Sequence, residues 1–408
     1  MAKENMSKLE RLIQQYCPDG VEYVKLDSVA NICRGTRVVK SQLSDKGYPV
    51  YQNCLTPMGY FERSNCNAGI TFVICGGAAG NVGYTDVECW AADDCEFIIG
   101  GHQVINRYIY YYLMTKQNYL LSKVRKASIP RLSPSIIKDL EIPLPPLPVQ
   151  EEIVRILDAF TELQAELQAE LQKRKQQYNY YLDNLLNFKD INRGGYQAEV
   201  RWMKMSEVFE TITDYTAAGS FKSIAENVKY LKSPDYAMLI RTTDLKSRFR
   251  KGDFIYVSKS AFDYLWRVKM DKECIVMPNV GNCGEIYYVH PNSLPYDNCA
   301  LAPNAILVRS KLFNNKYLSY CLQVECFQKQ LAKITSPVGQ SKFNKTELKK
   351  LLVPIPSLAD QQKIVDILDR FDTLTTDLTQ GLPAEIEKRR QQYEYYRDKL
   401  LTFKRKGA

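Results

Sequence analysis

Apolar side chains recur at alternating spacings of four and three residues along a stretch in the first half of the chain. This is the heptad pattern of a helix that buries one stripe against a partner helix. Polar Gln164 and Arg174 interrupt the stripe. The pattern predicts one helix from Gln150 to Phe188, about 58 Å long. The residues predicted to pack between helices are Ile153, Leu157, Phe160, Leu167, Leu171, Tyr178 and Leu185.

A second stripe of the same kind lies near the end of the sequence. Gly381 and Pro383 fall inside it, and because both residue types disfavour helix interiors, we expect a break or kink there, with Pro383 starting the second segment. Two such helices in one chain most simply pack on each other. The second set of predicted inter-helix packing residues is Ile364, Leu368, Phe371, Leu378, Ile386, Tyr393 and Leu400.

The two helical stretches are copies of one another. Residues 142–160 and 353–371 share ten of nineteen positions at an offset of 211, and residues 173–188 and 388–403 share eleven of sixteen at an offset of 215. The second copy therefore carries four extra residues between the blocks, which act as a stutter in the heptad. The sequence thus predicts an internal duplication. Before the first copy stand four prolines that we expect to form a stiff extended approach to the helix, Pro143, Pro145, Pro146 and Pro148.

A region with mixed strand and turn signals precedes each helix, and these two regions resemble each other only faintly. Residues 21–29 and 200–208 each predict a first strand, and glycine turns at 80–83 and 281–284 each lead toward another strand. Aromatic helices and polar approaches follow in both. We therefore predict an α+β fold with a first head at residues 1–147, a first helix at 148–190, a second head at 191–352 and a second helix at 353–408.

Composition narrows the class of protein only slightly. The 408 residues carry a net charge of +9, which suits a polyanionic partner but does not require one. The twelve cysteines contain no CxxC pair, and His102 and His290 are the only histidines, so we expect reduced thiols and no metal site. No apolar run reaches transmembrane length and the first residues lack a signal-peptide core, so we expect a cytoplasmic protein without membrane contact.

The sequence offers no catalytic centre. It contains no GxxxxGK[ST] phosphate loop, and the glycines of residues 75–83 have the wrong spacing and context for a dinucleotide site. The Asn/Asp-Pro-Pro-aromatic motif that amino-methyltransferases use is absent. The neighbouring carboxylates Asp93 and Asp94 are better explained as part of a solvated loop than as metal ligands. We therefore predict no catalytic residue and no cofactor in this chain.

Basic and amide side chains near predicted turns are the best candidates for DNA contacts. Arginine, lysine, asparagine and glutamine serve both to position phosphates and to read base edges. Basic runs at equivalent places of both heads favour this role over a merely solvated face. The candidates are Arg34, Thr36, Arg37, Lys40, Gln52, Asn53, Arg63 and Asn81 in the first head, and Lys222, Arg241, Thr242, Lys246, Arg248, Arg250, Lys251, Asn279, Asn282 and Lys342 in the second.

The repeated blocks resemble the specificity subunits of type I restriction–modification enzymes. The resemblance lies in the approaches PLPPL and PIPSL, in QxxIVxILDxF after each, and in KRxQQYxYYxDxLLxF closing each helix. It runs along the whole chain and implies two α/β target-recognition domains separated by two long antiparallel coiled-coil helices, related by a pseudo-two-fold repeat. A short helix from Lys8 to Tyr16 would complete the first conserved region.

The resemblance also implies partners. Each head would read one half of a bipartite double-stranded DNA target, and the helices would fix the spacing of the halves. Two modification (methyltransferase) subunits, which bind S-adenosylmethionine, would dock on the chain, and restriction subunits with an ATP- and Mg-dependent motor and nuclease would join them. Adenine methylation or restriction would then be directed by this non-catalytic chain.

Other functions stay open at the level of the sequence. A coiled-coil scaffold whose heads bind proteins would show no salt-dependent DNA binding. An enzyme acting alone would need a cluster of acidic or cofactor-binding residues in a cleft. A specificity subunit of a modification system without a restriction motor would have the same sequence features.

Overall fold

The computed structural model describes residues 6–186, 188, 200–250, 252–336, 340–376 and 381–407. The chain forms two compact units. The first unit contains residues 1–170 and 383–408, and the second contains residues 171–382. Each unit therefore holds one head together with part of each long helical region. These units group residues by their contacts and divide the long helices between them, so they do not test the domain boundaries predicted from the sequence.

The first head consists of a four-stranded sheet of order β2-β8-β5-β6, a three-stranded sheet of order β4-β3-β7 and a strand pair β1-β9. The larger sheet is antiparallel throughout, whereas β3 and β7 run parallel. Its elements are α1 Lys8–Tyr16, β1 Tyr23–Lys25, α2 Leu26–Val29, β2 Ala30–Arg34, β3 Tyr48–Tyr51, β4 Tyr60–Phe61, β5 Ile70–Ile74, β6 Val82–Thr85, β7 Trp90–Ala91, β8 Cys95–Gly100, α3 Asn106–Thr115, α4 Gln117–Ser122, α5 Pro134–Lys138 and β9 Glu141–Pro143.

The first long helix, α6, spans Leu147–Leu186. It begins three residues before the predicted start, so Pro148 lies inside its first turn rather than in the extended approach. Proline is tolerated there because the first N–H groups of a helix have no intrahelical acceptor. The predicted short helix Lys8 to Tyr16 is confirmed by α1, which Ser7 caps through a hydrogen bond from the backbone N–H of Glu10.

The second head repeats the topology of the first strand for strand, with sheets of order β11-β17-β14-β15 and β13-β12-β16 and a pair β10-β18. Here β12 and β16 are the parallel neighbours. Its elements are β10 Arg201–Lys204, α7 Met205–Val208, β11 Thr211–Asp214, α8 Phe221–Asn227, β12 Ala237–Ile240, α9 Thr242–Lys246, β13 Ile255–Val257, α10 Lys259–Tyr264, β14 Cys274–Pro278, β15 Tyr287–Val289, β16 Cys299–Leu301, β17 Ala305–Arg309, α11 Asn315–Cys321, α12 Glu325–Ile334, α13 Lys345–Leu348 and β18 Leu352–Ile355.

The predicted first strand of each head is wrong in its second half. The strands β1 and β10 end at Lys25 and Lys204, and a single helical turn follows each of them. Leu26 and Met205 begin these turns, are fully buried, and donate their backbone N–H groups to Leu140 and Leu351 at 2.8 Å. Tertiary hydrogen bonds and burial therefore override the strand preference of these residues.

The second long helical region is interrupted where glycine and proline predict it. Helix α14 spans Leu358–Thr376 and helix α15 spans Leu382–Leu400, with Pro383 as the second residue of α15. The predicted packing residue Leu378 lies outside the described residues. None of the described helices combines the length and the apolar character needed to cross a bilayer.

The same aromatic stack joins the long helices in both units. In the first unit Phe160 of α6 stacks on Tyr396 of α15, with ring centroids 5.6 Å apart. In the second unit Tyr181 of α6 stacks on Phe371 of α14 at 5.1 Å. These four residues occupy equivalent places in the two repeats, so the duplication conserves a contact and not only a pattern.

The remaining predicted packing residues lie against head cores as well as against helices. Ile153 and Leu157 are fully buried in the core of the first unit, which also contains Tyr393. Ile364 and Leu368 are fully buried in the core of the second. The apolar stripe of α6 is wider at its end than predicted, because Leu182 and Leu186 are also buried there. Leu171 is buried. Leu400 is half-buried and packs against the first core. Four other predicted packing residues are also half-buried: Leu167, Tyr178, Leu185 and Ile386.

A polar clamp fastens each head to its long helix. Gln150 is fully buried and donates to the carbonyl of Pro145 at 2.7 Å while it accepts the N–H of Ile105 at 3.0 Å. Gln361 repeats both bonds at 3.0 Å, to the carbonyl of Pro356 and from the N–H of Asn314. The glutamine of the QxxIV motif thus satisfies buried backbone groups that no secondary structure pairs.

The aspartate of the ILDxF motif completes the clamp. Tyr111 of α3 donates its hydroxyl to Asp158, and Arg107 donates to the same carboxylate at 2.8 Å. In the second unit Tyr320 of α11 donates to Asp369, and Lys316 lies 3.5 Å from that carboxylate. Burial and the neighbouring carboxylate raise the pKa of both tyrosines, so each hydroxyl keeps its proton and stays a donor.

Removal of one clamp hydroxyl should destabilise the unit that contains it. We expect Tyr111→Phe and Tyr320→Phe each to lower the free energy of unfolding by about 1.5–3 kcal/mol, the usual worth of a hydrogen bond to a charged group. Chemical denaturation of the full chain measures this. Tyr119→Phe is the control, since this ring is exposed on α4. Equal unfolding midpoints for all three variants would contradict the clamp.

Candidate nucleic-acid interface

In the first head, two of the predicted DNA contacts meet at the turn that follows β5. The backbone carbonyl of Asn53 accepts the N–H of Ala78 at 2.9 Å, and the side chain of Asn81 donates to the carbonyl of Ala78 at 2.8 Å. Gly77 adopts φ +81°, and a Cβ there would come within 2.8 Å of Asn53. The turn therefore requires glycine, and it places both amides at one edge of the larger sheet.

A charged cleft of about 510 Å³ lies beside this turn, with Arg34 at its wall. Arg34 donates to the backbone carbonyl of Asp93 at 2.7 Å, and Arg131 pairs with Asp94 at 3.5 Å. Lys123 and Arg125 also line the cleft. Arg131 and Arg34 already have protein partners, a carboxylate and a backbone carbonyl, so a DNA group that binds either arginine must exchange with that partner.

The other candidates of the first head are spread more widely. Thr36 is held by its backbone, because its N–H donates to Ala91 at 2.7 Å and its carbonyl accepts the indole N–H of Trp90 at 2.9 Å. Gln52 offers its carbonyl to the thiol of Cys95. Three cationic candidates are exposed on the head surface, Arg37, Lys40 and Arg63, of which Arg63 lies 5.8 Å from the ring of Phe61.

The second head gathers predicted contacts at the equivalent turn, after β14. Phe343 donates its N–H to the carbonyl of Asn279 at 3.2 Å, and Lys342 forms a β-bridge with Val280. Asn282 is exposed in the same turn. Lys246 reaches this region by an ion pair with Glu285. The structure thus brings together four predicted contacts that are spread over residues 246–342 of the sequence.

Arg241 and its neighbours form a separate group around α9. The Arg241 guanidinium binds Asp244 through two hydrogen bonds of 3.0 and 2.8 Å, and Asp244 is only 1% exposed. Alanine at Arg241 would leave that buried carboxylate unpaired, so a loss of DNA binding in such a variant would not identify a contact. Thr242 is half-buried and Lys222, Arg248 and Arg250 are exposed, whereas Lys251 lies outside the described residues.

Sequence reasoning missed several residues of these clefts. Lys123, Arg125 and Arg131 line the charged cleft, and the cationic stretch from 123 to 131 was a signal that could have found them. In the second head, aromatic residues near α8 line an opening at the corresponding sheet edge. No sequence signal separates those rings from ordinary core residues.

Several thiols of the two heads are deeply buried, and one of them, Cys75, lines the charged cleft. Burial raises the pKa of Cys75, Cys274 and Cys299 to about 12, so these thiols stay protonated and weakly reactive. Among the described residues, no group of three or more histidine, cysteine, aspartate or glutamate side chains is placed to hold a metal ion.

Comparison with known protein families gives a match over most of the chain. The family described as the type I restriction modification DNA specificity domain matches twice, at residues 18–176 and 197–388. S.HindORF215P of Haemophilus influenzae, which bears the name of a type I restriction enzyme specificity subunit, is 30% identical over 98% of this chain and all of its own length. The EcoR124I/EcoR124II specificity subunit of Escherichia coli is 31% identical over 74% of this chain and 72% of its own.

Solved structures show the same fold. The S subunit of a type I restriction–modification system from M. genitalium matches with a TM-score of 0.59, covering 94% of this chain and 96% of its own, at 17% identity. At that identity the likeness establishes the architecture alone. The predicted fold class, two α/β heads with long helices in an internal repeat, is confirmed.

Glu96 provides a test of the electrostatics of the charged cleft. This residue is 4% exposed, and burial raises the pKa of its carboxyl against the opposing influence of Arg34 and Lys138. A raised folded-state pKa means that ionisation costs stability as pH rises through that value. We expect Glu96→Gln to raise the melting temperature at neutral pH, and the gain should vanish below the ordinary glutamate range, where both side chains are neutral.

Thermal melts of the full chain across this pH range measure the effect. Glu62→Gln is the matched control, because the Glu62 side chain is 76% exposed. A difference between Glu96→Gln and the parent chain that stayed constant with pH would contradict the assignment.

Proposed function

Because the chain belongs to the family of type I restriction–modification DNA specificity domains, we propose that its two heads each read one half of a bipartite DNA target. The observation that carries this proposal is the repetition of one strand topology in two heads whose clefts differ in chemistry. Two modules with the same structural role would not require clefts lined by different kinds of side chain. The scaffold alternative finds no support in the comparisons, since the family matched at both heads is one of DNA specificity.

The clamps support a role in fixing the spacing between the two half-sites. Each head is fastened to a long helix by a buried glutamine and a shared carboxylate, so a head cannot turn freely on its helix. Helix α6 continues without interruption for 40 residues. In this proposal the spacing of the half-sites is a property of the protein, as it is for other DNA readers that place two recognition elements on one scaffold.

The reaction itself belongs to partners in this proposal. Two methyltransferase subunits would supply S-adenosylmethionine and modify the adenine of each half-site, and restriction subunits would supply the ATP- and Mg-dependent motor and nuclease. This chain would contribute DNA recognition and docking surfaces only. The protonated buried thiols of both heads agree with a binding role.

Mapping of adenine methylation tests the function directly. We expect cells that express this chain with its cognate modification subunit to methylate a split motif that is absent when either protein is missing. Single-molecule sequencing of genomic DNA detects such a motif. A stable complex of the two proteins without any new methylation would refute the proposal and favour the scaffold.

A matched pair of variants assigns the heads to the two halves. Arg37 and Arg250 are exposed, one on each head. If an arginine contacts a base, its replacement by alanine should cost about 1–3 kcal/mol and make one half of the motif degenerate. If it contacts phosphate, occupancy should fall without degeneracy. Unchanged motif and occupancy would remove that arginine from the interface.

The four extra residues of the second repeat should influence the gap between half-sites. We expect deletion of residues 377–380 to change the preferred gap while each half-site keeps its sequence, because the heads themselves are untouched. The same methylation mapping measures the gap. An unaltered gap would show that this segment does not determine it.

A further inference from the structure

A cavity of about 690 Å³ opens at the sheet edge of the second head, where β11 and β17 meet the turn after β14. Three aromatic residues line it: Tyr215, Phe221 and Tyr230. Ile224 and Val228, which are largely buried, supply aliphatic surface on the same wall. A space with planar rings and aliphatic walls suits a flat, partly apolar ligand.

Two of these rings are exposed to solvent. Phe221 is 81% exposed and Tyr230 is 52% exposed, whereas Tyr215 is 5% exposed. The Tyr230 hydroxyl donates to the Tyr215 hydroxyl at 3.3 Å, which holds the two rings next to each other. An exposed phenylalanine at the rim of an apolar cavity gains free energy when a second flat group covers it.

Polar groups are placed for a ligand that also carries donors and a phosphate. The side-chain oxygen of Asn279, which lines the cavity, is buried and has no hydrogen-bond partner among the described residues. Rotation of this amide toward a ligand donor would end the cost of leaving that acceptor unpaired. Lys229 lies at the cavity and Lys222 is exposed on the same helix as Phe221, so cations border its mouth.

The equivalent edge of the first head has different chemistry. Arg34 is the last residue of β2 and pairs with Glu96, the second residue of β8. Asp214 is the last residue of the equivalent strand β11 and pairs with Ile306, the second residue of β17. Arg34 and Asp214 therefore occupy the same position in the two heads. In the first head this position lines the charged cleft, which contains the ion pair of Arg131 with Asp94, and none of the described residues that line this cleft is aromatic. The ring-lined cavity therefore distinguishes the second head from the first.

We propose that the aromatic cavity of the second head binds a nucleobase, which stacks on Phe221 and Tyr230 and pairs with the amide of Asn279. The inference rests on the proposed DNA-reading function, and the base could come from bound DNA, displaced from its stack, or from a free nucleotide. Asparagine offers the donor and acceptor pair that adenine recognition uses. Displacement of a base from the duplex costs stacking free energy, and stacking of that base on the exposed rings of the cavity offsets this cost.

The first arm of the test uses free nucleotides. Adenosine, cytidine, guanosine and thymidine monophosphates are titrated into the full chain and followed by calorimetry, with the parent chain, Phe221→Ala, Tyr230→Ala and Trp266→Ala compared. Trp266 is the matched control, because it is 63% exposed on the same head and does not line the cavity. Binding by the parent and the control, weakened in the two cavity variants, would identify a free nucleotide as the source.

The second arm uses DNA. In the complex with the modification subunit, 2-aminopurine replaces each base in turn in a duplex that contains the mapped target. We expect increased emission at one position of the half-site read by the second head, other than the methylated adenine, and we expect Phe221→Ala to weaken that complex by about 5- to 150-fold, the range that base–aromatic stacking supplies. Trp266→Ala should leave both unchanged.

Three outcomes would overturn the inference. The first is parent-like behaviour of Phe221→Ala and Tyr230→Ala in both arms, and the second is an equal loss in Trp266→Ala. The third is a mapped target that binds and is methylated normally while no position responds and no free nucleotide binds. Because methylation is measured independently of emission, this last result would remove the base pocket and leave the DNA-reading function intact.

Discussion

One carboxylate on each long helix holds a head in place. Asp158 and Asp369 are partly buried, and a carboxylate that loses part of its hydration needs hydrogen-bond donors in exchange. A tyrosine hydroxyl and a cationic side chain from one head helix meet that need in each unit. Because both partners come from the head, a shift of the head on the helix would break these bonds to the carboxylate. This requirement explains why tyrosine and aspartate recur in both repeats.

The long-helix residues that attach each head are the same in both repeats, whereas the residues at the sheet edge differ between the heads. The motif residues that repeat closely, the glutamine and aspartate of each helix and the aromatic stack, all face a head or another helix. Strand order is also the same in both heads. The sheet edge after β5 and β14 is different, since it carries ion pairs in one head and aromatic rings in the other. A fixed attachment lets such an edge change its chemistry without altering how the head is held.

The sequence predicted the helices better than it predicted the clefts, for a physical reason. Helical stripes and the break at Gly381 and Pro383 are local patterns, and the structure reproduces them. The first strands were predicted too long because a buried turn at Leu26 depends on Leu140, more than one hundred positions away. Similarly, Arg241 was identified as a cation, whereas its two bonds to buried Asp244 follow only from the fold. The partners of cleft side chains are set by contacts between distant parts of the chain, and the local hydrophobic periodicity of the sequence does not predict such contacts.

The two cleft chemistries imply different energetics of recognition. If DNA binds in the candidate cleft of the first head, it must exchange with the partners of Arg131 and Arg34, which are the Asp94 carboxylate and the Asp93 carbonyl, so little net free energy is gained. Such an exchange gives discrimination, because a wrong base leaves a charge unpaired. In the proposed base pocket of the second head, Phe221 would lose exposed apolar surface when a base covers it, which would give affinity with little dependence on salt. Under these two proposals, the chain would obtain selectivity mainly from one head and affinity mainly from the other.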